Sequence, residues 1–136
     1  VTGPIERDFP NIERLIAAVF ADELGGLDHV GSETPDDLED HLPFLRAARV
    51  GGPRTHLFDY PIVDLSYFAA DELEGAPGAS RIANRLLAKP PPHPSIDVAF
   101  CEPAFRELPW GDSENVRHWG ATFSFETRMV RVVLLP

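Results

Sequence analysis

The chain has 136 residues, 43% of them hydrophobic and 25% charged, which is the size and composition of one globular domain able to hold a core without cross-links. Twelve Lys and Arg stand against 22 Asp and Glu, a net charge of −10, and no Lys/Arg-rich run offers the phosphate grip that nucleic-acid binding requires. Cys101 is the single cysteine, which excludes an internal disulfide framework and a Cys-rich zinc module.

No stretch approaches the roughly 18 apolar residues of a membrane span. The Val-Thr-Gly-Pro-Ile-Glu-Arg-Asp start lacks the pattern of a signal peptide. These features predict a soluble protein made in a reducing cytoplasm. The 14 prolines, about twice the usual share, favour short elements and ordered loops.

Residues 1–9 read as an arm. Pro10 suits a first helical turn, and apolar residues at Ile12, Leu15, Ile16, Val19, Phe20 and Leu24 repeat at the helical period. Gly25 and Gly26 end that helix. His29 to Glu33 reads as a short strand. Thr34-Pro35-Asp36-Asp37 reads as the start of a short helix, capped by Thr34 and stopped by Pro43. Phe44 to Val50 and about 57–69 predict an antiparallel hairpin around a Gly51-Gly52-Pro53 turn. In the second strand Val63, Leu65 and Tyr67 share one face, and Ile62, Asp64, Ser66 and Phe68 the other.

Gly75, Pro77 and Gly78 interrupt the next segment, so the second helix is predicted from Ala79 to Ala88 with Ile82, Leu86 and Leu87 buried. Pro90-Pro91-Pro92 ends it. Ile96 to Cys101 is a strand with Ile96, Val98 and Phe100 on one face, residues 102–114 are loop, and Val116 to Val130 is a long strand. In that strand Trp119, Ala121, Phe123, Phe125 and Met129 face one way and His118, Thr122, Ser124, Glu126 and Arg128 the other. The sum is a two-layer α+β fold. A mostly antiparallel or mixed sheet of four to five strands carries two main helices on one face. The predicted organisation is an arm at 1–9, one domain at 10–130 and a tail at 131–136.

Signatures of catalysis are missing from the sequence. It holds no phosphate-binding glycine loop, no dinucleotide fingerprint, no His-Glu-x-x-His and no nucleophile elbow. His29, His41, His56, His93 and His118 are scattered, and Asp36 to His41 does not match a calcium loop and reads as a solvated turn. Cys101 reads as an inert thiol within an apolar strand. No catalytic, cofactor or metal residue is assigned. Trp119 reads as core, and Trp110, in a Pro/Gly loop, as the more open to a partner. Arg81, Arg85, Arg117 and Arg128 are candidates for salt bridges between subunits.

The order of Phe9-Pro10-Asn11-Ile12-Glu13-Arg14-Leu15, Glu33-Thr34-Pro35-Asp36-Asp37-Leu38, Leu42-Pro43-Phe44-Leu45-Arg46, Arg49-Val50-Gly51-Gly52, Asp59 to Ala69 and Val116 to Phe125 resembles the tail terminator (tail completion) proteins of long-tailed bacteriophages, especially of actinobacterial hosts. The resemblance spans about residues 9–130. It implies a structural virion protein whose homohexameric ring caps the tail tube, ends its polymerisation and joins the head completion or stopper protein in the neck. DNA passes through such a ring without sequence-specific binding, and no membrane is involved. It also implies a second helix unbroken across Asp71–Gly78. A neighbouring neck component such as the head–tail stopper is the second reading, and a small cytosolic enzyme with a site built from scattered residues the third. Candidate inter-subunit or partner contacts are Gly51, Gly52, Arg54, His56, Phe58, Trp110, Leu134 and Leu135. The segments expected to dock are the arm, the Gly51–Phe58 loop and the tail.

Overall fold

A computed structural model describes residues 5–101, 104–111 and 115–133. The chain is α+β, with a mixed sheet curled into a half-barrel and two helices. Strand β1 (Ile5–Asp8) precedes helix α1 (Ile12–Leu24). The Asn11 side chain caps α1 by accepting from the Arg14 N–H, and Gly25, at φ 112°, closes it in the left-handed conformation. Pro10 thus stands before the cap rather than in the first turn. Ile12, Leu15, Ile16 and Phe20 form the buried stripe of α1.

A 3-10 turn (Leu27–His29) leads into β2 (Val30–Gly31), which runs parallel to β3 (Phe44–Gly51). The helix expected after Thr34 is a 3-10 turn at Leu38–His41, and no side chain caps it. Thr34 instead accepts a hydrogen bond from Arg46. Strands β4 (Phe58–Asp59) and β5 (Ile62–Ala69) are one lane of the sheet interrupted at Tyr60–Pro61. Both pair antiparallel with the long β8 (Arg117–Arg128), and the Phe125 N–H donates to the Pro61 carbonyl between them. The β3–β5 hairpin forms as the alternation predicts, with Leu45 opposite Tyr67 and Ala47 opposite Leu65.

Helix α2 (Glu72–Leu86) corrects the expected start at Ala79. It begins at an Asp71 cap and runs through Gly75, Pro77 and Gly78. The glycines are contact points with the sheet. A Cβ on Gly75 would lie 1.9 Å from the Trp119 ring, and one on Gly78 2.4 Å from the Tyr67 hydroxyl. Pro77 and Leu73 lie on the exposed side, where water can satisfy the carbonyl that proline leaves without a helical donor. Leu87, expected in the core, is the C-terminal cap residue and 39% exposed.

The other edge of β8 carries β6 (Ile96–Cys101) and β7 (Arg106–Leu108), the latter in a segment read as loop. A bulge at Asp97 breaks the alternation of β6. Ala99 and Cys101 therefore pack on the core, while Phe100 is 56% exposed instead of sharing a face with Ile96. Both helices cover one face of the sheet, over Val63, Leu65, Tyr67, Trp119, Phe123 and Phe125. Each large aliphatic or aromatic side chain buried there stabilises the fold by roughly 1.5–3 kcal/mol relative to exposure. The opposite face is open. Its apolar part is the smaller cluster of Leu38, Phe44, Phe68 and Val116.

Beyond β8 the chain continues as β9 (Val130–Val133), which pairs antiparallel with β1 in a separate two-stranded ribbon, Ile5 opposite Val133 and Asp8 opposite Val130. The arm and the start of the tail therefore hold each other.

Candidate assembly surface

The loop after β3 is a rigid projection. A bulge between Arg49 and Gly51 turns Val50 outward, leaving it 58% exposed. Gly52 follows at φ 106°, where a Cβ would sit 1.9 Å from the Tyr60 carbonyl oxygen, so this close crossing accepts glycine alone. The Tyr60 N–H donates to the Pro53 carbonyl at 2.9 Å. Arg54 bridges to Asp59, and between them the Thr55 N–H donates to the Phe58 carbonyl at 2.8 Å. The Thr55 hydroxyl accepts from the Phe58 N–H at 3.0 Å. His56 and Leu57 occupy the exposed tip, Leu57 at 58%.

Asp59 anchors this projection. Its side chain is fully buried and bidentate to Arg49, at 2.6 and 2.8 Å, with Arg54 at 3.1 Å. Arg49 also donates to the Gly51 and Gly52 carbonyls. Burial alone would raise the Asp59 pKa, but hydrogen bonds from Arg49 and Arg54 outweigh it and hold the carboxyl below its usual value. The Arg54 guanidinium covers the Phe9 ring at 4.6 Å, which ties the end of the arm to the loop. Phe58 pairs with Arg128 at the end of β8, just before β9. The loop, the end of the arm and the base of the β1–β9 ribbon thus meet at one end of the sheet.

The candidate contacts separate on this geometry. Gly52 and Arg54 hold the loop's shape, Phe58 is half-buried with its ring 6.2 Å from Tyr60, and Gly51 and His56 are exposed. Trp110 is half-buried at the opposite end, 4.7 Å edge-on to Phe68. Leu134 and Leu135 lie outside the described residues. Three of the arginines read as inter-subunit candidates have partners within the chain: Arg85 with Glu23, Arg117 with Glu107 and Glu72, and Arg128 with Asp97. Sequence reading covered Leu57 only as part of the Gly51–Phe58 loop and missed Val50 and the Asp59 anchor. An apolar pair flanking a Gly-Gly-Pro turn was the available signal.

At the far end, acidic side chains gather. Asp36, Asp37, Glu39 and Asp40 are exposed around a cleft bordered by Trp110 and Val116, and Asp71, Glu72 and Glu74 open α2 beyond the end of β5. His41 hydrogen-bonds Asp37 at 3.0 Å, which raises its pKa.

The open face holds a second cleft, of about 300 Å³, lined by Arg46, Asp64, Ser66, Arg106, His118 and Thr122 among others. His118 is 8% exposed, stacked on Phe68 at 4.7 Å, and neither ring nitrogen has a hydrogen-bond partner. Burial and the Arg46 charge lower its pKa, against an opposing pull from the Pro109 carbonyl, which stands outside hydrogen-bond geometry. A buried polar group left without a partner costs about 1–3 kcal/mol. Burial raises the pKa of the half-buried Cys101 thiol, away from nucleophilic use. Among the described residues no three His, Cys, Asp or Glu side chains are placed to share a metal ion.

No family model matches this chain, and no curated protein matches it either. The site geometry and the sequence resemblance are the grounds for the functional reading.

Proposed function

We propose that this chain is a structural virion protein of the tail-terminator type. Copies close into a homohexameric ring on the tail tube, end its polymerisation and present a second face to the head completion or stopper protein. The observation that carries the reading is the two-ended layout. One end bears a rigid loop with exposed Val50 and Leu57 beside the β1–β9 ribbon, and the other bears the acidic turns at Asp36–Asp40 and Asp71–Glu74. A head-to-tail contact between unlike ends generates rings, and exposed strand edges offer a neighbour backbone to pair with. The unbroken α2 across Asp71–Gly78 also supports the resemblance.

In such a ring the acidic groups outnumber Lys and Arg along the lumen. Carboxylates there repel the passing DNA, where basic groups would bind phosphates and retard it. Co-sedimentation tests the assignment. The purified chain is expected to bind isolated tail tubes and to chromatograph on them as a ring of defined size. Binding to filled, tailless heads but not to tubes would replace the terminator reading with the stopper reading.

A further inference from the structure

The open-face cleft is built by register. Arg46, Ser66, Gly120 and Arg106 are paired neighbours on β3, β5, β8 and β7, so they form one row across four lanes of the sheet. At roughly 4.8 Å between lanes, the two arginines stand about 14 Å apart at their Cα atoms. Gly120 lies between them and supplies no side chain. The Leu108 side chain takes that place: a Cβ on Gly120 would lie 2.6 Å from its Cδ1 and 3.7 Å from His118 Nε2, so only glycine admits this packing. The adjoining row carries Phe68 and His118, and the row beyond Ser66 carries Asp64 and Thr122.

The polar groups of this cleft are unevenly used. Arg46 is half-buried and donates to two neutral hydroxyls, Thr34 Oγ1 and Ser66 Oγ, both at 3.0 Å. No carboxylate lies within 4.0 Å of the Arg46 or Arg106 guanidinium among the described residues, although the chain carries 22 acidic side chains. Ser66 accepts from Arg46 and keeps its own proton free to donate. Thr122 already donates to Asp64 at 2.9 Å. Both ring nitrogens of His118 are enclosed in the cleft wall, with the Pro109 carbonyl nearby but outside hydrogen-bond geometry. Arg46 and Arg106 against Asp64 leave one net positive charge, which matches a monoanion and disfavours a dianion. A volume of about 300 Å³ is at the lower limit for ligand pockets.

We propose that this cleft is a binding site for a singly charged carboxylate, held by Arg46 and Arg106 with Ser66 as a further donor and the His118 ring in the adjoining wall. A planar carboxylate takes two parallel N–H donors from one guanidinium, the strongest neutralisation such a cleft offers. The group belongs to a free carboxylic acid or to an acidic side chain of a second copy of this chain, and the chemistry is the same. The site is independent of the ring reading.

The test is an NMR titration of the full chain with sodium acetate, read at the His118 ring and the Arg46 side-chain N–H signals, with sodium chloride as the ionic-strength control. Acetate is expected to shift both saturably and to raise the pH at which His118 titrates, since the bound anion favours the imidazolium. Arg46→Gln and the exposed Arg106→Gln are each expected to weaken acetate binding at least about tenfold while the remaining spectrum keeps the fold. Dilution in the absence of acetate separates the sources. Movement of the same signals assigns the carboxylate to a second copy, and fixed signals assign it to a free acid. Absence of saturation up to about 100 mM acetate, a response equal to that of chloride, tighter binding of sulfate, or undiminished binding by both variants would overturn the proposal.

Discussion

Arg46 and Arg49 leave the same strand three residues apart and meet opposite environments. Arg49 grips the buried Asp59 with two short hydrogen bonds and holds the loop carbonyls with the rest of its guanidinium. Arg46 points to the open face and finds two hydroxyls, an aromatic ring and an unpartnered histidine. The first cluster is complete within the chain and fixes a shape. The second lacks its acid and is shaped to receive one. A half-buried arginine is therefore read by what balances it, since the residue type is the same in both places.

The largest expected effect breaks the complete cluster. Asp59→Asn leaves the part-exposed Arg49 and Arg54 without their carboxylate and loses charge-assisted hydrogen bonds to both, at a cost of about 2–4 kcal/mol after solvent screening. Chemical denaturation is expected to show that loss, and a change below about 1 kcal/mol would show that the anchor is dispensable.

Acid attacks the same point without mutation. The folded pKa of Asp59 lies below its unfolded value of about 3.9. Its contribution is thus full above that pH and disappears as pH falls through the lower, folded value. Melting temperature measured against pH should drop steeply below about pH 4 in the wild type and less steeply in Asp59→Asn. Parallel curves would assign the acid sensitivity to other carboxylates.

Arg46→Gln is expected to be milder, about 1–2 kcal/mol, because it gives up two hydrogen bonds to neutral hydroxyls and no ion pair. A loss as large as that of Asp59→Asn would erase the contrast between the clusters. The smallest effect on stability belongs to the loop tip and the tail. Leu57→Asp should change stability by no more than about 0.5 kcal/mol, since the side chain is already exposed. Deletion of residues 131–136 removes part of a ribbon outside the main sheet and should leave melting largely intact. Both are expected to impair tail completion. Normal tails from either would remove that segment from the docking surface.

The sequence carried the main elements through periodicity. The stripe Ile12, Leu15, Ile16, Phe20 and the alternation Val63, Leu65, Tyr67 are properties of neighbouring residues, and both are core in the structure. What stayed hidden depends on distant partners. Gly75 and Gly78 look like helix breakers until Trp119 and Tyr67 are brought against them. Phe100 looks buried until a bulge at Asp97 shifts the face of β6. Ile5 and Val133 pair across almost the whole chain, and no local pattern records that. The Arg49–Asp59 anchor and the Arg46–Ser66–Gly120–Arg106 row follow from strand register. That register was implicit in the predicted hairpin but needed the bulge at Val50 and the short β7 to be placed.

The proposed ring at the end of a tail is best tested by imaging an intact particle that carries this chain. Six copies are expected in a closed ring between the tail tube and the neck, with the Leu57 loop or the β1–β9 ribbon against a neighbouring chain and more carboxylates than basic groups facing the lumen. A single copy per tail, or a position away from the junction of tube and neck, would contradict it.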